Sequence, residues 1–241
     1  MTDYYAVMGN PIAHSKSPII HAEFAKQTHQ DISYSKIEVP LDQFEHAVRS
    51  FQGKGLNITL PFKQRAYELM DQCSNEAVLA KAVNTIRIGE DGKLYGHNTD
   101  GIGLVRDLTQ NLHLDLKGSR ILILGAGGAV REILLPLLEQ HPESIVVANR
   151  TISTAEQLVQ AANNYGNITA VALDAIKGRF DLVINGTSFG LTTTEVPFDP
   201  KILSKETYCY DLMYGQELTP FLKWAVNHNV KQVSDGIGML V

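Results

Sequence analysis

The stretch Ile121-Leu122-Ile123-Leu124-Gly125-Ala126-Gly127-Gly128-Ala129 decides the fold of this chain. Four apolar, strand-forming residues run into a glycine turn, and a helical pattern of apolar residues follows. Gly125 permits a tight turn, and Gly127 and Gly128 let the backbone approach a pyrophosphate, which the N–H groups at a helix start bind. The third glycine of the G-x-G-x-x-G pattern falls at Val130. A strand, a glycine turn and a helix in this order nevertheless predict a dinucleotide-binding domain.

Strands and helices alternate on both sides of that stretch, which predicts an α/β protein with two α/β domains, the first with a mostly parallel sheet. The boundary between the domains is expected near Asp100 to Gly103. A turn at Glu90-Asp91-Gly92 separates two apolar runs and predicts a hairpin. The predicted strands are residues 4–8, 34–39, 55–59, 83–88, 93–96, 120–124, 145–148, 168–172, 182–184 and 207–212, and the predicted helices are residues 18–30, 41–51, 62–70, 99–112, 129–140 and 154–163.

The composition is that of an ordinary soluble globular protein, with 44% apolar and 20% charged residues. The net charge of -5 gives no basic surface with which to displace counterions from a nucleic acid. The two cysteines, Cys73 and Cys209, lie far apart, and no His, Cys or Asp spacing predicts a metal site. No signal peptide and no apolar run of roughly 20 residues is visible, so we expect a cytoplasmic protein without membrane or nucleic-acid partners.

The residues after the next predicted strand, Asn149-Arg150-Thr151, bear on the choice of cofactor. An NAD site usually has an acidic residue here, which accepts hydrogen bonds from the ribose 2′-hydroxyl. A guanidinium instead suits a 2′-phosphate, so Arg150 favours NADP, unless it is only a surface arginine. The loop Asn185-Gly186-Thr187-Ser188-Phe189-Gly190 follows another apolar run, where either a ligand-binding loop or an ordinary turn is expected.

Four polar clusters follow or precede strands in the first half of the chain. They are Gly9 to Pro18, Asn57 to Lys63, Ala82 to Thr85, and Gly96 to Asp100. Together they offer hydroxyls and amides, the amines of Lys16 and Lys63, and one carboxylate. This inventory suits a small polyhydroxy acid better than an apolar ligand or a phosphate ester.

With these motifs the chain resembles the shikimate dehydrogenases. The resemblance extends over nearly the whole chain, and its motifs occur in the order of that family. It rests on the four polar clusters and on the blocks Gly125 to Ala129, Asn149 to Thr151, Asn185 to Gly190, Tyr210-Asp211-Leu212-Met213-Tyr214 and Asp235-Gly236-Ile237-Gly238-Met239.

The resemblance implies a substrate-binding and catalytic domain over residues 1–101 and an NADP-binding Rossmann domain over residues 102–236. It implies reversible NADPH-dependent reduction of 3-dehydroshikimate to shikimate, a step in aromatic amino-acid biosynthesis, by a monomer or a homodimer. Lys63 and Asp100 become the catalytic pair. The implied substrate ligands are Ser15, Ser17, Asn57, Thr59, Asn84 and Tyr214, and the implied cofactor site is lined by Gly125, Ala126, Gly127, Gly128, Ala129, Asn149, Arg150, Thr151, Thr187, Leu212 and Gly236.

The chain departs from the family in two places. Relatives commonly carry a second basic residue shortly after the arginine, where this chain has Thr154. Relatives also continue beyond residues 237–241 into a helix that returns to the first domain, and this sequence stops before that helix. We therefore expect residues 237–241 to be the start of a shortened return segment.

The chemistry expected of the catalytic pair is acid–base catalysis of hydride transfer. An ammonium such as that of Lys63 stabilises the oxyanion and delivers its proton, and Asp100 orients it. Lys63 could instead be a solvated lysine at a helix start, and Asp100 a helix N-cap. Two other functions stay open: a dehydrogenase acting on quinate as well, and a nucleotide-binding protein without catalytic activity.

Overall fold

The computed structural model describes residues 2–187, 199–230 and 232–240, and the chain forms two compact units, Met1–Thr99 and Asp100–Val241. Each unit contains one six-stranded sheet with helices packed on it. The predicted α/β class with two α/β domains is confirmed. The boundary between the two units lies two residues before the boundary predicted between residues 101 and 102.

The first unit begins with a strand and alternates between strands and helices as far as its closing hairpin. Its elements are β1 (Asp3–Gly9), α1 (Ser17–Thr28), β2 (Ile32–Glu38), α2 (Phe44–Ser50), β3 (Gly55–Ile58), α3 (Lys63–Leu69), β4 (Gln72–Cys73), α4 (Asn75–Ala80), β5 (Thr85–Ile88) and β6 (Leu94–His97).

The sheet of the first unit has the strand order β2-β1-β3-β5-β6-β4, and it is mixed. β5 runs antiparallel to both of its neighbours, while the other three pairs of strands are parallel. The predicted turn at Glu90-Asp91-Gly92 joins β5 to β6, and Gly92 has a φ of 77°. The hairpin prediction is therefore confirmed, and it accounts for the reversed direction of β5.

The main core of the first unit lies on one face of this sheet. Met8, Leu56 and Ile86 project from three adjacent strands onto Phe44 of α2 and Phe62, whose rings stack with centroids 4.4 Å apart. Because side chains alternate across a strand, neighbouring residues such as Asn57 point to the opposite face, on which α1 packs.

The second unit continues the alternation and adds two elements that the sequence analysis does not predict, α8 and β12. Its elements are α5 (Asp100–Arg106), a π-helix (Asp107–Asn111), β7 (Arg120–Leu124), α6 (Gly128–Leu138), β8 (Ser144–Asn149), α7 (Ile152–Ala162), β9 (Ile168–Ala172), β10 (Leu182–Asn185), β11 (Tyr208–Asp211), α8 (Pro220–Asn227) and β12 (Gln232–Asp235), with short 3₁₀ turns at Asn163–Tyr165, Leu173–Ala175, Pro200–Ile202 and Gly238–Leu240.

The sheet of the second unit is parallel throughout, in the order β12-β11-β10-β7-β8-β9. Its central strand β7 is apolar, and Ile121 to Leu124 are at most 2% exposed. Such a strand must be covered on both faces, because a parallel sheet carries its crossover helices on both sides. Leu122 and Leu124 pack in one core with Phe221 and Leu222 of α8.

A π-helix follows α5 where the sequence predicts one continuous helix from Thr99 to Leu112. Its first residue, Asp107, is buried, and its carboxylate accepts a hydrogen bond from the Tyr210 hydroxyl at 2.8 Å and from the Asn111 amide at 2.7 Å. A buried carboxylate needs such donors, so this tertiary contact accompanies the change of helix type.

Within residues 2–187, 199–230 and 232–240, none of the helices has both the length and the apolar character needed to cross a bilayer.

Candidate functional site

The strand directions in the first unit bring four polar loops to one edge of its sheet. β1, β3 and β6 run in the same direction, and β5 runs in the opposite direction. The loops that follow β1, β3 and β6 therefore lie at the same edge as the loop that precedes β5. The polar clusters predicted from the sequence lie in these loops, and the predicted site residues among them are Ser15, Ser17, Thr59, Lys63 and Asn84.

Asn84 immediately precedes β5, and several hydrogen bonds constrain its side chain. It is 8% exposed, and its Oδ1 accepts hydrogen bonds from the Thr85 hydroxyl at 2.9 Å, the Thr99 N–H at 3.1 Å and the Thr99 hydroxyl at 3.2 Å. Because three donors surround the oxygen, the amide can face only one way. The carboxamide nitrogen is thus directed away from Thr85 and Thr99.

Asn57 lies on β3, and its carboxamide is also held in one orientation. Its Oδ1 accepts a hydrogen bond from the Tyr34 hydroxyl at 2.6 Å, and its Nδ2 donates to Thr85 Oγ1 at 3.2 Å and to the Asn84 carbonyl at 3.4 Å. Asn57 and Asn84 are therefore linked through Thr85. Tyr34, Thr85 and Thr99 are functional candidates that the sequence analysis does not place in the site.

The Tyr34 side chain is fixed by contacts of its ring as well as its hydroxyl. The His21 ring of α1 stacks on it with centroids 4.1 Å apart and planes 8° from parallel. Burial raises the pKa of Tyr34 well above its usual range, and a hydrogen bond with Ser17 only partly opposes this. Burial also lowers the pKa of His21, and a hydrogen bond with Asn57 partly offsets the effect. Tyr34 is therefore protonated and His21 predominantly neutral near pH 7.

The two predicted serines lie at the start of α1. The Ser15 hydroxyl donates to Ser17 Oγ at 3.1 Å, and the Ser17 N–H donates to Ser15 Oγ at 3.3 Å. Thr59 follows β3 and is partly buried, and Lys63 is the first residue of α3 and is also partly buried. The first unit thus presents hydroxyls, two oriented amides and the Lys63 amine at one sheet edge.

In the second unit the carboxyl ends of all six parallel strands meet at one edge, and β7 lies next to β10 and β8. The strands that follow β7 in the chain lie on its two sides: β8 and β9 on one, and β10, β11 and β12 on the other. In such sheets ligands bind in the crevice where the strand order reverses, which here lies between the loops after β7 and β10. Gly125 has a φ of 102°, a value that favours glycine, and its N–H donates to the Ala148 carbonyl at 2.8 Å. The predicted tight turn at Gly125 is confirmed.

The N-terminus of α6 has the properties of a pyrophosphate site. Its first turn has no acidic residue, and among the described residues no side chain caps it and no heavy atom lies within 4 Å of where a Gly127 Cβ would be. The first N–H groups of an α-helix lack partners within the helix and attract anions. The residues present at this turn therefore fit a dinucleotide.

Gly186 explains why Val130 is accepted where the fingerprint has its third glycine. Val130 is fully buried in α6, and a Cβ at position 186 would lie 2.4 Å from its Cγ2. The same Cβ would lie 3.3 Å from Leu212 Cδ1. The space that the third glycine usually provides between helix and sheet is thus provided by a glycine in the loop after β10.

The residues after β8 fit a 2′-phosphate better than a free 2′-hydroxyl. The Asn149 side chain donates to the Thr151 carbonyl at 2.8 Å and so shapes this loop. Arg150 is exposed between them. Its guanidinium is therefore accessible to an anion, and neither neighbour is a carboxylate that would repel a phosphate.

Two buried polar residues connect the loops after β10 and β11. Asn185 donates from Nδ2 to Asp211 Oδ1 at 3.0 Å and accepts at Oδ1 from the Thr187 N–H at 3.2 Å and the Thr187 hydroxyl at 2.7 Å. Asp211 also accepts from the Met213 N–H at 3.1 Å and from the Thr219 hydroxyl. Burial raises the pKa of Asp211, although these hydrogen bonds oppose the shift.

The same network fixes the predicted cofactor residues in these loops. The Leu212 N–H donates to the Asn185 carbonyl at 2.9 Å, and the Gly236 N–H donates to the Met213 carbonyl at 3.1 Å. Ser188, Phe189 and Gly190 of the predicted loop, and Val241 of the predicted return segment, lie outside the described residues. The sequence predicts Asn185 as part of a loop, but it gives no signal for the bond to Asp211.

Two predicted site residues, Asp100 and Tyr214, belong to the second unit. Asp100 is the residue after Thr99 and begins α5, and Tyr214 follows β11 and is 53% exposed. Lys63 and Asp100, which the sequence analysis places in one domain, are therefore assigned to different units. Among the described residues no group of three His, Cys, Asp or Glu side chains could hold a metal ion.

The parallel sheet, the glycine turn and the uncapped helix define the second unit as a dinucleotide-binding domain, and the first unit is an α/β domain with a polar sheet edge. Residues 7–86 match the family described as the shikimate dehydrogenase substrate binding domain, and residues 107–195 match the family described as shikimate / quinate 5-dehydrogenase. The chain belongs to the shikimate dehydrogenase family.

Individual relatives resemble the chain over nearly its whole length. A shikimate dehydrogenase (NADP(+)) of Alkalilimnicola ehrlichii is 52% identical over 244 residues, which cover 100% of this chain and 90% of the relative. The crystal structure of an enzyme from Pseudomonas putida is 44% identical, with a TM-score of 0.92, over 99% of this chain and 89% of that one. The Thermus thermophilus shikimate 5-dehydrogenase in complex with NADP(H) and shikimate is 33% identical, with a TM-score of 0.84, over 100% of this chain and 89% of that one.

Proposed function

We propose that this protein is an NADP-dependent oxidoreductase that reversibly reduces 3-dehydroshikimate to shikimate. The observation that carries the proposal is the sheet edge of the first unit, where Asn57 and Asn84 are held in fixed orientations close to hydroxyl groups. A small ring with several hydroxyls and one carboxylate requires donors and acceptors of this kind. The 52% identity to a shikimate dehydrogenase supports the same substrate.

The cofactor we propose is NADP, which would bind across the edge of the parallel sheet. The uncapped N-terminus of α6 would hold the pyrophosphate, and Arg150 would pair with the 2′-phosphate. The rest of the site would be lined by Thr187 and Leu212, whose loops Asn185 fixes, and by Gly236, whose N–H is bonded to the Met213 carbonyl. Bound NADPH supplies the hydride for the carbonyl carbon of the substrate.

The chain's own part in the reaction is to position the substrate and to move one proton. Lys63 would donate a proton from its ammonium to the carbonyl oxygen as negative charge develops there, and would take it back in the oxidation direction. Asp100 would orient the ammonium and accept a hydrogen bond from the same hydroxyl. Ser15, Ser17, Asn57, Thr59, Asn84 and Tyr214 would bind the carboxylate and the remaining hydroxyls.

The test is steady-state oxidation of shikimate by the purified protein, followed as NADPH absorbance. We expect turnover with shikimate and NADP⁺, and a Lys63→Ala variant slowed by roughly 10²–10⁴-fold, the usual contribution of a general acid–base group. Lys26→Ala, which removes an exposed lysine of α1, is the matched control and should retain full activity. Absence of wild-type turnover would refute the proposed function, whereas unchanged turnover in Lys63→Ala would refute only the assignment of Lys63.

Further arms of the same assay separate the alternative functions. Quinate in place of shikimate tests the wider substrate range that the family description includes. NAD⁺ in place of NADP⁺ tests the role of Arg150. Binding of NADP⁺ without turnover of either acid would identify a nucleotide-binding protein instead.

We also propose that the protein works in the cytoplasm. Its oligomeric state is a separate question, and sedimentation of the purified protein would distinguish the monomer from the homodimer.

A further inference from the structure

Asn57 depends on a side chain from a strand that is not its neighbour. Tyr34 lies on β2, and β1 separates β2 from β3, which carries Asn57. The Tyr34 ring spans that distance and places its hydroxyl 2.6 Å from Asn57 Oδ1. The stacked His21 ring holds the tyrosine in this position from the helix side. Tyr34 is thus supported on its face and directed at one atom.

The hydrogen bonds around Asn57 decide which end of its carboxamide faces which partner. With Oδ1 on the Tyr34 hydroxyl, Nδ2 donates to Thr85 Oγ1 and to the Asn84 carbonyl. A rotation of the carboxamide by half a turn would place its oxygen against the Asn84 carbonyl oxygen, an unfavourable pair of acceptors. The Tyr34 hydroxyl stays protonated because burial keeps its pKa high, so it can donate throughout the neutral range.

We propose that Tyr34 is a positioning residue, which acts on the substrate through Asn57 by fixing the Asn57 carboxamide oxygen as an acceptor for a substrate hydroxyl. This inference rests on the proposed function, in which Asn57 binds substrate. Without the tyrosine hydroxyl, Asn57 Oδ1 loses the donor that lies 2.6 Å from it, and the carboxamide is held less firmly before substrate binds. The loss affects the bound ground state and the transition state alike, so KM rises and kcat does not change.

The variant that isolates the hydroxyl is Tyr34→Phe, which keeps the ring and its stack on His21. We expect KM for shikimate to rise roughly five- to tenfold, the equivalent of one neutral hydrogen bond, with kcat and KM for NADP⁺ within about twofold of wild type. Tyr95→Phe is the matched control, because it also removes a tyrosine hydroxyl, which bonds exposed Asp91 at 3.2 Å. Asp91 lies in the turn between β5 and β6, at the end of the same sheet opposite to the site loops. The control variant should leave all three constants unchanged.

A double-mutant cycle with Asn57→Ala tests whether Tyr34 acts through Asn57. If it does, Tyr34→Phe has no further effect on KM in the Asn57→Ala background. Equal effects of Tyr34→Phe with and without Asn57 would overturn the proposal and indicate a direct contact of Tyr34 with substrate. An unchanged KM in Tyr34→Phe, or a loss of kcat in parallel with stability, would overturn it as well.

A measurement without turnover keeps this inference separate from the proposed function. In a ¹⁵N–¹H spectrum the Asn57 side-chain amide, assigned by its absence in Asn57→Ala, should shift and exchange faster with water in Tyr34→Phe but not in Tyr95→Phe. Unchanged Asn57 signals would refute the positioning role even if shikimate proves not to be the substrate. A protein inactive with shikimate, but with shifted signals, would refute the proposed function alone.

Discussion

Replacement of Gly186 by alanine should destabilise the second unit by collision with one side chain. The new Cβ would lie 2.4 Å from Val130 Cγ2 and 3.3 Å from Leu212 Cδ1, whereas carbon atoms pack at roughly 3.5–4.0 Å. Val130 is fully buried, so α6 or the loop after β10 must move by about 1 Å. Overpacking of this kind costs about 1–3 kcal/mol in free energy of unfolding. NADP⁺ affinity should fall as well, because the N-terminus of α6 would be displaced.

The second half of this prediction is that Val130→Ala relieves the collision. Alone, Val130→Ala should cost about 2 kcal/mol, from lost apolar burial and the cavity it leaves. Combined with Gly186→Ala, it should restore part of the stability and of the NADP⁺ affinity, since the new methyl group occupies the vacated space. We expect a coupling of at least about 1 kcal/mol, well above the roughly 0.3–0.5 kcal/mol scatter of independent sites.

The assay is urea unfolding of the four proteins, followed by circular dichroism, with fluorescence titration of NADP⁺. The control combines Gly186→Ala with Val147→Ala. Val147 is an equally buried valine on β8, and none of its atoms is among those nearest to a Cβ at position 186. That pair should be additive. Additivity of Gly186→Ala with Val130→Ala would refute the conclusion that Gly186 provides the space of the missing third glycine.

Two further predictions concern charge. Arg150→Ala should raise KM for NADP⁺ by about 10–100-fold, the range for charge-assisted hydrogen bonds, and leave KM for NAD⁺ unchanged. An equal rise in KM for both cofactors would contradict a contact between Arg150 and the 2′-phosphate. His21→Phe should make the free energy of unfolding less dependent on pH below about 6.5. Burial lowers the pKa of His21 in the folded state, so the unfolded chain binds more protons there and wild-type stability falls as pH falls. Urea unfolding at pH 7.5 and 5.5 measures this. An equal change in the free energy of unfolding between the two pH values in wild type and His21→Phe would contradict the prediction.

The local signals in the sequence predict the elements whose character is set by their own residues. The strands at residues 120–124 and 168–172 are predicted with the bounds observed, because each is an uninterrupted β-prone run. α4 and the two-residue strand β4 are missed, since both are too short for a periodic pattern. α8 is also missed, although Thr219 and Pro220 form a recognisable helix start.

What the sequence could not predict depends on partners far along the chain. The expected helix from Thr99 to Leu112 forms over Asp100 to Asn111, but its second half is a π-helix, where Asp107 bonds a tyrosine 103 residues away. In the site, the hydroxyl and amide residues are predicted from motifs, but the bond between Tyr34 and Asn57 requires the strand order β2-β1-β3. The link from Asn185 to Asp211 likewise follows from the pairing of β10 with β11.

The reversed direction of β5 has a consequence for the energetics of binding. Asn84 precedes this strand, and both its backbone and its side chain are bonded: its N–H donates to the His97 carbonyl at 3.0 Å, and three donors hold its oxygen. The conformational entropy of this side chain is therefore lost during folding, and little remains to be lost on association. Such preorganisation leaves more of the interaction energy with a ligand to appear as affinity.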